Sequence, residues 1–257
     1  MYLPERLKNK MSFTVPVLIY HHINSHTGDT VTVTPEVFEA QMAFLAQSGF
    51  TTLSIDALMG AFCKGREIGN KAVVLSFDDG WLDNYLYAIP VLKRLKFRAT
   101  FFIITGRVDA SSNGGVKLFS DIPLHEAAKA YIQSGEASRV VLDWDLIRNI
   151  EEDGLFSFYS HTVSHRRCAE LSGTELLNEL VESKHRIESE LGRACPYLCW
   201  PYGSYTKETI KAARESGYTA LFTTDYGFCG PSSDPFRIKR IEVKNSVAWM
   251  QECFAKI

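Results

Sequence analysis

Short apolar segments alternate with amphipathic segments along nearly the whole of this 257-residue chain. The segments "VPVLIY" (15–20), "KAVVLSF" (71–77) and "ATFFIIT" (99–105) are almost continuously apolar, which is typical of strands buried on both faces. The segments between such strands, for example 34–50 and 172–192, have the pattern of helices that cover a sheet. This alternation predicts a parallel sheet covered by helices, and about seven such units favour a closed α/β barrel over an open sheet.

One stretch, residues 105–141, interrupts the alternation. It contains the polar runs "DASSNGG" and "SGEAS", and we interpret it as an insertion that carries one short helix. Such an insertion could form a lid, a wall of a substrate site or a dimer contact, and the sequence leaves these alternatives open. No linker, internal repeat or low-complexity tract divides the chain, so we expect a single domain over residues 1–257.

The composition argues against two kinds of partner. Apolar residues make up 46% of the chain, charged residues 23%, and the net charge is −2, which indicates no electrostatic surface for nucleic acid or an anionic membrane. No apolar window approaches the ~20 residues of a membrane-spanning helix, so we expect no integral membrane segment. The N-terminus lacks the long apolar region of a secretory signal, which predicts a cytoplasmic protein, or a periplasmic or extracellular one if the N-terminus was trimmed.

Polar side chains follow several predicted strands at their C-terminal ends, where α/β barrels carry their chemistry. Each residue alone is a weak signal, because an aspartate pair before glycine is common in turns and a lone histidine is usually structural. Together they place carboxylates and imidazoles at one end of one barrel. The residues are His21, His22, Asp78, Asp79, His161, His165, Pro201 and Tyr202.

Two of the histidines have a spacing that suits metal ligands. His161 and His165 are four residues apart, which would put them on one face of a helical turn. Two neutral imidazoles and one carboxylate form a zinc shell that leaves a position open for water. One aspartate of the Asp78–Asp79 pair can supply that carboxylate, and the other would then lie beside the bound water as a base. A divalent cation would also relieve the repulsion between the two carboxylates.

Three motifs, "SFDDG", "SHTVSH" and "WPYG", occur in this order with helices between them. With these motifs the chain resembles the polysaccharide deacetylase (NodB-homology) superfamily of carbohydrate esterases over roughly residues 14–245. The segment "VPVLIYHHI" makes it most similar to the branch that contains the biofilm poly-N-acetylglucosamine deacetylases. The resemblance implies one domain built on a distorted (β/α)7-type, TIM-like barrel. It also implies a divalent metal ion, for which zinc is the preferred candidate and cobalt, nickel and manganese are alternatives.

The resemblance further implies a role for each motif residue. Asp78 would be the general base, and Asp79 would be a metal ligand together with His161 and His165. The backbone N–H of Tyr202 would help to hold the oxyanion that forms during the reaction.

Two positions depart from the pattern that most of the family follows. Many members take their acid from a late "L-x-H" motif, and this chain has no such histidine. In the biofilm branch the acid comes from an N-terminal "Y-H", which makes His21 the candidate acid, whereas His22 would point to the opposite face of the strand. The arginine that steadies the base in many members is replaced by Cys199. Arg240 could approach Asp78 instead, or it could be a packing residue.

These roles predict a hydrolase, a metal-dependent carbohydrate N-deacetylase. Its substrate would be an N-acetylated sugar in a polysaccharide, a glycolipid or a lipopolysaccharide or capsule precursor. Two alternatives stay open. The same groups could serve an amidohydrolase that acts on a small amide, or the barrel could be a catalytically inactive carbohydrate-binding protein, which the substitution at Cys199 would explain. The sequence predicts neither the identity of the sugar nor the oligomeric state.

Overall fold

The computed structural model describes residues 13–114 and 122–255. The first twelve residues, which bear on the predicted location, and residues 115–121 of the predicted insertion lie outside this part of the chain. The strands are β1 (Val17–Tyr20), β2 (His22–Ile23), β3 (Thr32–Val33), β4 (Thr51–Thr52), β5 (Ala72–Asp79), β6 (Ala99–Ile103), β7 (Phe156–Ser160), β8 (Tyr197–Cys199), β9 (Ala220–Tyr226) and β10 (Ile238–Glu242).

Seven of these strands close into a barrel. Parallel pairing joins β1 to β5, continues in chain order from β5 to β10, and returns from β10 to β1. The short strand β4 pairs with the first two residues of β5, and β2 and β3 form a separate two-stranded sheet. The predicted distorted (β/α)7 barrel is therefore confirmed.

Helices surround the barrel, and their starts follow capping residues in the sequence. The Thr34 hydroxyl accepts a hydrogen bond from the Val37 N–H, and Ser172 and Glu175 form a reciprocal capping box. Within the described residues, no helix combines the length and the apolar character needed to cross a membrane. The helices are α1 (Pro35–Gln47), α2 (Ile55–Lys64), α3 (Ile89–Leu95), α4 (Thr105–Ser112), α5 (His125–Gln133), α6 (Trp144–Glu151), α7 (Gly173–Leu191), α8 (Lys207–Glu215) and α9 (Val247–Phe254).

Two segments differ from the sequence-based expectation. The segment "WLDNYLYAIPVLKRLKF" predicts one regular helix over 81–97. The chain is helical from residue 82, but Trp81 pairs with Val141, and a π-helix (Asn84–Ala88) precedes α3. The insertion is predicted to carry one short helix. It contains two, α4 and α5, followed by a 3-10 turn at Ala137–Arg139.

A layer of aromatic rings lies between the barrel and the helices. Tyr20, Phe77, Phe101 and Phe158 occupy matching positions on four neighbouring strands, and their successive ring centroids are 5.1, 4.9 and 4.9 Å apart. The Tyr20 hydroxyl donates to Gln41 of α1, so this row of side chains points outward. Because successive side chains on a strand alternate, the residue after Phe77 points into the barrel. Packing of the layer thus fixes the direction of the first aspartate in the "DDG" motif.

We expect Phe101→Ala to lower the free energy of unfolding by about 3–5 kcal/mol, because it leaves a cavity between two stacked rings. Urea denaturation followed by circular dichroism measures the change. Tyr87→Ala is the control, since this side chain is 37% exposed and its loss should cost less than about 0.5 kcal/mol. Equal losses of unfolding free energy in the two variants would contradict a stabilising role of the aromatic layer.

Candidate active site

The C-terminal ends of the barrel strands enclose a cavity of about 360 Å³. The predicted site residues come together here, since six of them line the cavity and Arg240 contacts one of these six from within the barrel. The six lining residues are His21, Asp78, Asp79, His161, His165 and Tyr202.

The backbone around this cavity is strained at four points. Asp79, Thr162, His165 and Tyr202 have positive φ values of 74°, 67°, 60° and 57°. In the described part of the chain one further non-glycine residue, Lys96, has a positive φ, and it caps helix α3. Left-handed backbone angles cost an L-residue roughly 1–2 kcal/mol, and such strain concentrates where function fixes the direction of a side chain.

The prediction of a helical turn between His161 and His165 is wrong. After β7 the chain forms an irregular loop in which two residues adopt left-handed backbone angles. Glu179 of α7 holds this loop, because its carboxylate accepts hydrogen bonds from the Val163 and Ser164 N–H groups, each at 2.9 Å. The loop brings the two imidazoles together with their ring centroids 4.8 Å apart.

Asp79 and the two imidazoles surround a point that fits a divalent cation. The Nε2 atoms of His165 and His161 are 3.3 and 3.6 Å from Asp79 Oδ1. Two ligands that each lie about 2.1 Å from a tetrahedral ion are about 3.4 Å apart, so the spacing matches a zinc-type site. Asp79 Oδ1 is buried and has no hydrogen-bond donor among the described residues. A bound cation would satisfy this oxygen.

Neighbouring groups fix the ligand atoms that face this point. His161 Nδ1 lies 2.8 Å from the Cys199 carbonyl oxygen, to which it donates, so Nε2 keeps the free lone pair. Trp81 donates its indole N–H to Asp79 Oδ2 at 3.1 Å, which leaves Oδ1 for the cation. Burial lowers the pKa of His161 and lowers the pKa of His165 to about 3. Both imidazoles are therefore neutral near pH 7, which is the form that binds a metal.

Asp78, the second carboxylate of the cavity, is paired with a buried arginine. Arg240 donates two parallel hydrogen bonds, to Asp78 Oδ1 at 2.9 Å and to Oδ2 at 2.8 Å. The Thr223 carbonyl and the Ser76 hydroxyl also accept hydrogen bonds from Arg240 and hold it in place. Burial would raise the pKa of Asp78, but the charge and hydrogen bonds of Arg240 outweigh burial and keep this pKa below its usual value. Asp78 is therefore an ionised carboxylate with a fixed orientation.

Cys199 lies beside this ion pair. Its sulfur is 2.8 Å from Arg240 Nη2 and 3.6 Å from Asp78 Oδ2. Burial raises the pKa of the Cys199 thiol well above its usual value, so the thiol stays protonated and is a poor metal ligand, although His161 is also near it. From strand β10, Arg240 makes the contact to Asp78 that the resemblance assigns to an arginine at position 199.

His21 and His22 face opposite ways, as adjacent strand positions require. His21 lines the cavity together with Asp78. His22 is fully buried away from it, with Nδ1 2.5 Å from the Asp83 carboxylate and its ring stacked on Trp81 at 4.2 Å. Of the two histidines, His21 is the one positioned to meet a substrate.

The sequence interpretation missed several polar residues around the cavity. Asp83 anchors His22, and His22 Nε2 in turn lies 3.1 Å from Nδ1 of His125. His125 and Arg107, from the two helices of the insertion, line the cavity. The third acidic residue of "DDGWLDN" was a signal for Asp83, whereas no pattern marks the other two. The insertion thus supplies part of the cavity wall.

Comparisons with known proteins agree on one family. A family model described as polysaccharide deacetylase matches residues 65–221. YxkH of Bacillus subtilis strain 168, whose name places it among the polysaccharide deacetylases, is 26% identical over 237 residues, which cover 92% of this chain and 74% of that protein. The poly-β-1,6-N-acetyl-D-glucosamine N-deacetylase of Escherichia coli K12 is 23% identical over 232 residues, which cover 83% of this chain and 34% of that enzyme.

A solved structure has a similar fold. The Streptococcus pyogenes deacetylase PplD, in complex with acetate, superposes with a TM-score of 0.78 and 22% identity, covering 93% of this chain and 97% of that one. At this identity the similarity concerns the fold. This chain also spans 34% of the Escherichia coli enzyme's length, so a transfer of that enzyme's whole activity requires its own test.

We expect Asp79→Ala and His165→Ala to weaken Zn²⁺ binding by at least ~10–100-fold, the loss typical even of outer-shell changes at metal sites. Isothermal titration of the metal-stripped protein measures the affinity, and circular dichroism checks that each variant is folded. His185→Ala is the matched control, because this histidine is exposed on α7 and should leave the affinity unchanged. An Asp79→Ala protein with wild-type affinity would exclude this cation site.

Proposed function

The chain belongs to the polysaccharide deacetylase family, and from this premise we propose that it is a metal-dependent hydrolase that removes the N-acetyl group from an N-acetylated sugar. The sugar would lie in a polysaccharide, a glycolipid or a precursor of lipopolysaccharide or capsule. A lipid-linked or nucleotide-linked precursor would be the favoured substrate of a cytoplasmic enzyme, because a finished external polymer is out of its reach.

One observation carries this proposal, namely that three side chains able to hold a cation and a separate ion-paired carboxylate lie side by side in one cavity. Asp79, His161 and His165 would hold the cation. Asp78 stays apart from it, because Arg240 donates a hydrogen bond to each of its oxygens. Hydrolysis of an amide at neutral pH needs both a group that polarises the carbonyl or the water and a base that accepts a proton. The two carboxylates of the "DDG" motif would divide these tasks.

Asp78 would be the base that accepts a proton from the attacking water. A divalent cation held by Asp79 and the two imidazoles supplies Lewis acidity, which in known zinc enzymes lowers the pKa of water towards about 7. The low pKa of Asp78 and its two hydrogen bonds from Arg240 keep it ionised and oriented towards its task. Fixed orientation lowers the barrier because little rearrangement is needed when the proton moves.

The Tyr202 N–H would donate a hydrogen bond to the acetyl oxygen as that oxygen gains negative charge. Tyr202 lines the cavity, and its ring lies 4.5 Å from the ring of His165. Its backbone and that of Gly203 are left-handed, with φ of 57° and 61°, so the chain turns sharply at this point. A donor of this kind contributes roughly 3–4 kcal/mol to transition-state stabilisation where it has been measured.

His21 would protonate the amine of the sugar, which leaves poorly without a proton. Four histidines line the cavity. His161 and His165 would be occupied by the cation, and His125 is hydrogen-bonded to His22. Burial also lowers the pKa of His125, which disfavours the protonated form that an acid needs, so we assign this role to His21.

The two alternative functions can be separated from this proposal. A catalytically inactive barrel was suggested by the substitution at Cys199, but the contact between Arg240 and Asp78 weakens that argument, because the base keeps an arginine partner. A small-amide hydrolase would turn over small amides and leave glycans untouched. Acetate release from N-acetylglucosamine oligomers, measured beside turnover of small amides, tests the deacetylase directly.

Asp78→Asn should keep the metal and lower kcat/KM for acetate release by about 10²–10⁴-fold, the range for loss of a general base. The two readouts are metal content and enzyme-coupled acetate detection on the same preparation. Asp145→Asn, whose side chain is 90% exposed, is the surface control and should retain full activity. A fully active Asp78→Asn enzyme would remove Asp78 as the base.

His21→Ala should slow cleavage of an N-acetylated sugar far more than cleavage of an activated aryl acetate such as p-nitrophenyl acetate. The reason is that a nitrophenolate leaves without a proton, whereas an amine does not. We expect a difference of at least ~100-fold between the two losses. Equal losses on the two substrates would count against His21 as the acid.

A further inference from the structure

Two arginines of the cavity wall, Arg107 and Arg167, form no ion pair with a carboxylate of the described residues. Arg107 of α4 and Arg167 of the loop after β7 line the cavity, and in the described ranges no carboxylate lies within 4.0 Å of either guanidinium. Each stands over an aromatic ring instead. The Arg107 guanidinium is 5.8 Å from the centroid of Trp81, and that of Arg167 is 4.5 Å from the centroid of Tyr202. In the described part of the chain, two positive charges thus face the cavity with no carboxylate in contact, and Asp79 is a carboxylate that Arg107 affects from a longer distance.

These aromatic rings connect each arginine to the cation site. Trp81, below Arg107, donates its N–H to Asp79 Oδ2 at 3.1 Å. Tyr202, below Arg167, packs on His165 with ring centroids 4.5 Å apart. Each arginine therefore lies one side chain away from a proposed metal ligand. A group bound between them would lie next to the reacting sugar.

The charges that line the rest of the cavity leave a positive excess. Asp78 is paired with Arg240, and Asp79 would be neutralised by the cation. Among the other lining residues, Lys129 is paired with Glu126 at 3.0 Å, and Glu242 is the remaining carboxylate, so Arg107 and Arg167 account for the excess. A concave site with an excess of one sign attracts ligands of the opposite sign.

We propose that Arg107 and Arg167 bind a negatively charged group of the substrate, a phosphate or a carboxylate, beside the sugar that loses its acetyl group. This inference rests on the proposed function, since it takes the cavity to be the place of N-deacetylation. The planar guanidinium is the side chain best suited to bind these oxyanions with two parallel hydrogen bonds.

Three substrates that share an N-acetylglucosamine test this proposal. N,N′-diacetylchitobiose is neutral, UDP-N-acetylglucosamine carries phosphates, and a disaccharide of N-acetylglucosamine and glucuronic acid carries a carboxylate. The zinc-loaded enzyme should have a kcat/KM at least ~10-fold higher on one or both anionic substrates than on the neutral one. A preference for the nucleotide sugar would identify phosphate as the bound group, and a preference for the acidic disaccharide would identify carboxylate.

Arg107→Met and Arg167→Met test the two residues directly. A hydrogen bond to a charged group contributes roughly 1.5–3 kcal/mol, so each variant should lose about 10–100-fold in kcat/KM on the preferred anionic substrate. The fold-loss in kcat/KM on the neutral substrate should be at least tenfold smaller than the fold-loss on the anionic one. Arg214→Met is the matched control, because Arg214 stands over the Phe236 ring at 4.5 Å but lies outside the cavity. Equal losses on neutral and anionic substrates, or no preference in the wild type, would overturn the proposal.

A binding experiment keeps this test separate from the test of the proposed function. Calorimetric titration of the zinc-loaded protein with inorganic pyrophosphate and with glucuronate should detect binding of one or both, weakened about 10–100-fold in the two arginine variants. If none of the substrates releases acetate but the anions bind in an arginine-dependent way, the proposed deacetylase activity is wrong and the anion site stands. If acetate is released but anion binding does not depend on the arginines, the deacetylase activity stands and the anion site is wrong.

Discussion

Two buried carboxylates that follow one another in the chain can both stay ionised only if each has its own positive partner. Asp78 and Asp79 are 2% and 5% exposed, and the backbone separates them. Asp78 points into the barrel, where Arg240 meets both of its oxygens. Asp79 has a left-handed backbone, and its carboxylate meets two imidazoles around a point that fits a cation. The proposed division of roles, with Asp78 as a fixed base and Asp79 as a metal ligand, depends on this separation of charge.

The rest of the barrel places these partners accurately. The aromatic layer outside the strands fixes the strand register, and register decides which aspartate faces inward, since a shift by one residue would exchange the two faces. The loop after β7 brings His161 and His165 together without a helix, and the carboxylate of Glu179 holds it. Backbone strain at Asp79, His165 and Tyr202 marks the points where side-chain direction matters more than local stability.

The alternation of apolar and amphipathic segments was sufficient to predict the barrel, because buried parallel strands leave a strong pattern. The residues at the strand ends followed from it, since all C-terminal ends of a parallel barrel meet at one face. Other features depend on contacts that leave no local pattern. The left-handed angles at His165, the second helix of the insertion, and the positions of Arg107 and Arg167 are fixed by tertiary packing. The contact between Arg240 and Asp78 was one of two alternatives that the sequence left open. An arginine that pairs with a buried carboxylate and an arginine that only packs against its neighbours look alike in a sequence.

The contact between Arg240 and Asp78 limits what position 199 can hold. With Arg240 already bonded to both oxygens of Asp78, and with the Cys199 sulfur 2.8 Å from that guanidinium, a second arginine at position 199 would crowd two like charges against one carboxylate. An arginine at position 199 and one at position 240 would therefore compete for the same carboxylate. A motif that requires the arginine at position 199 would miss the pairing of Asp78 in this chain, because here the arginine comes from β10.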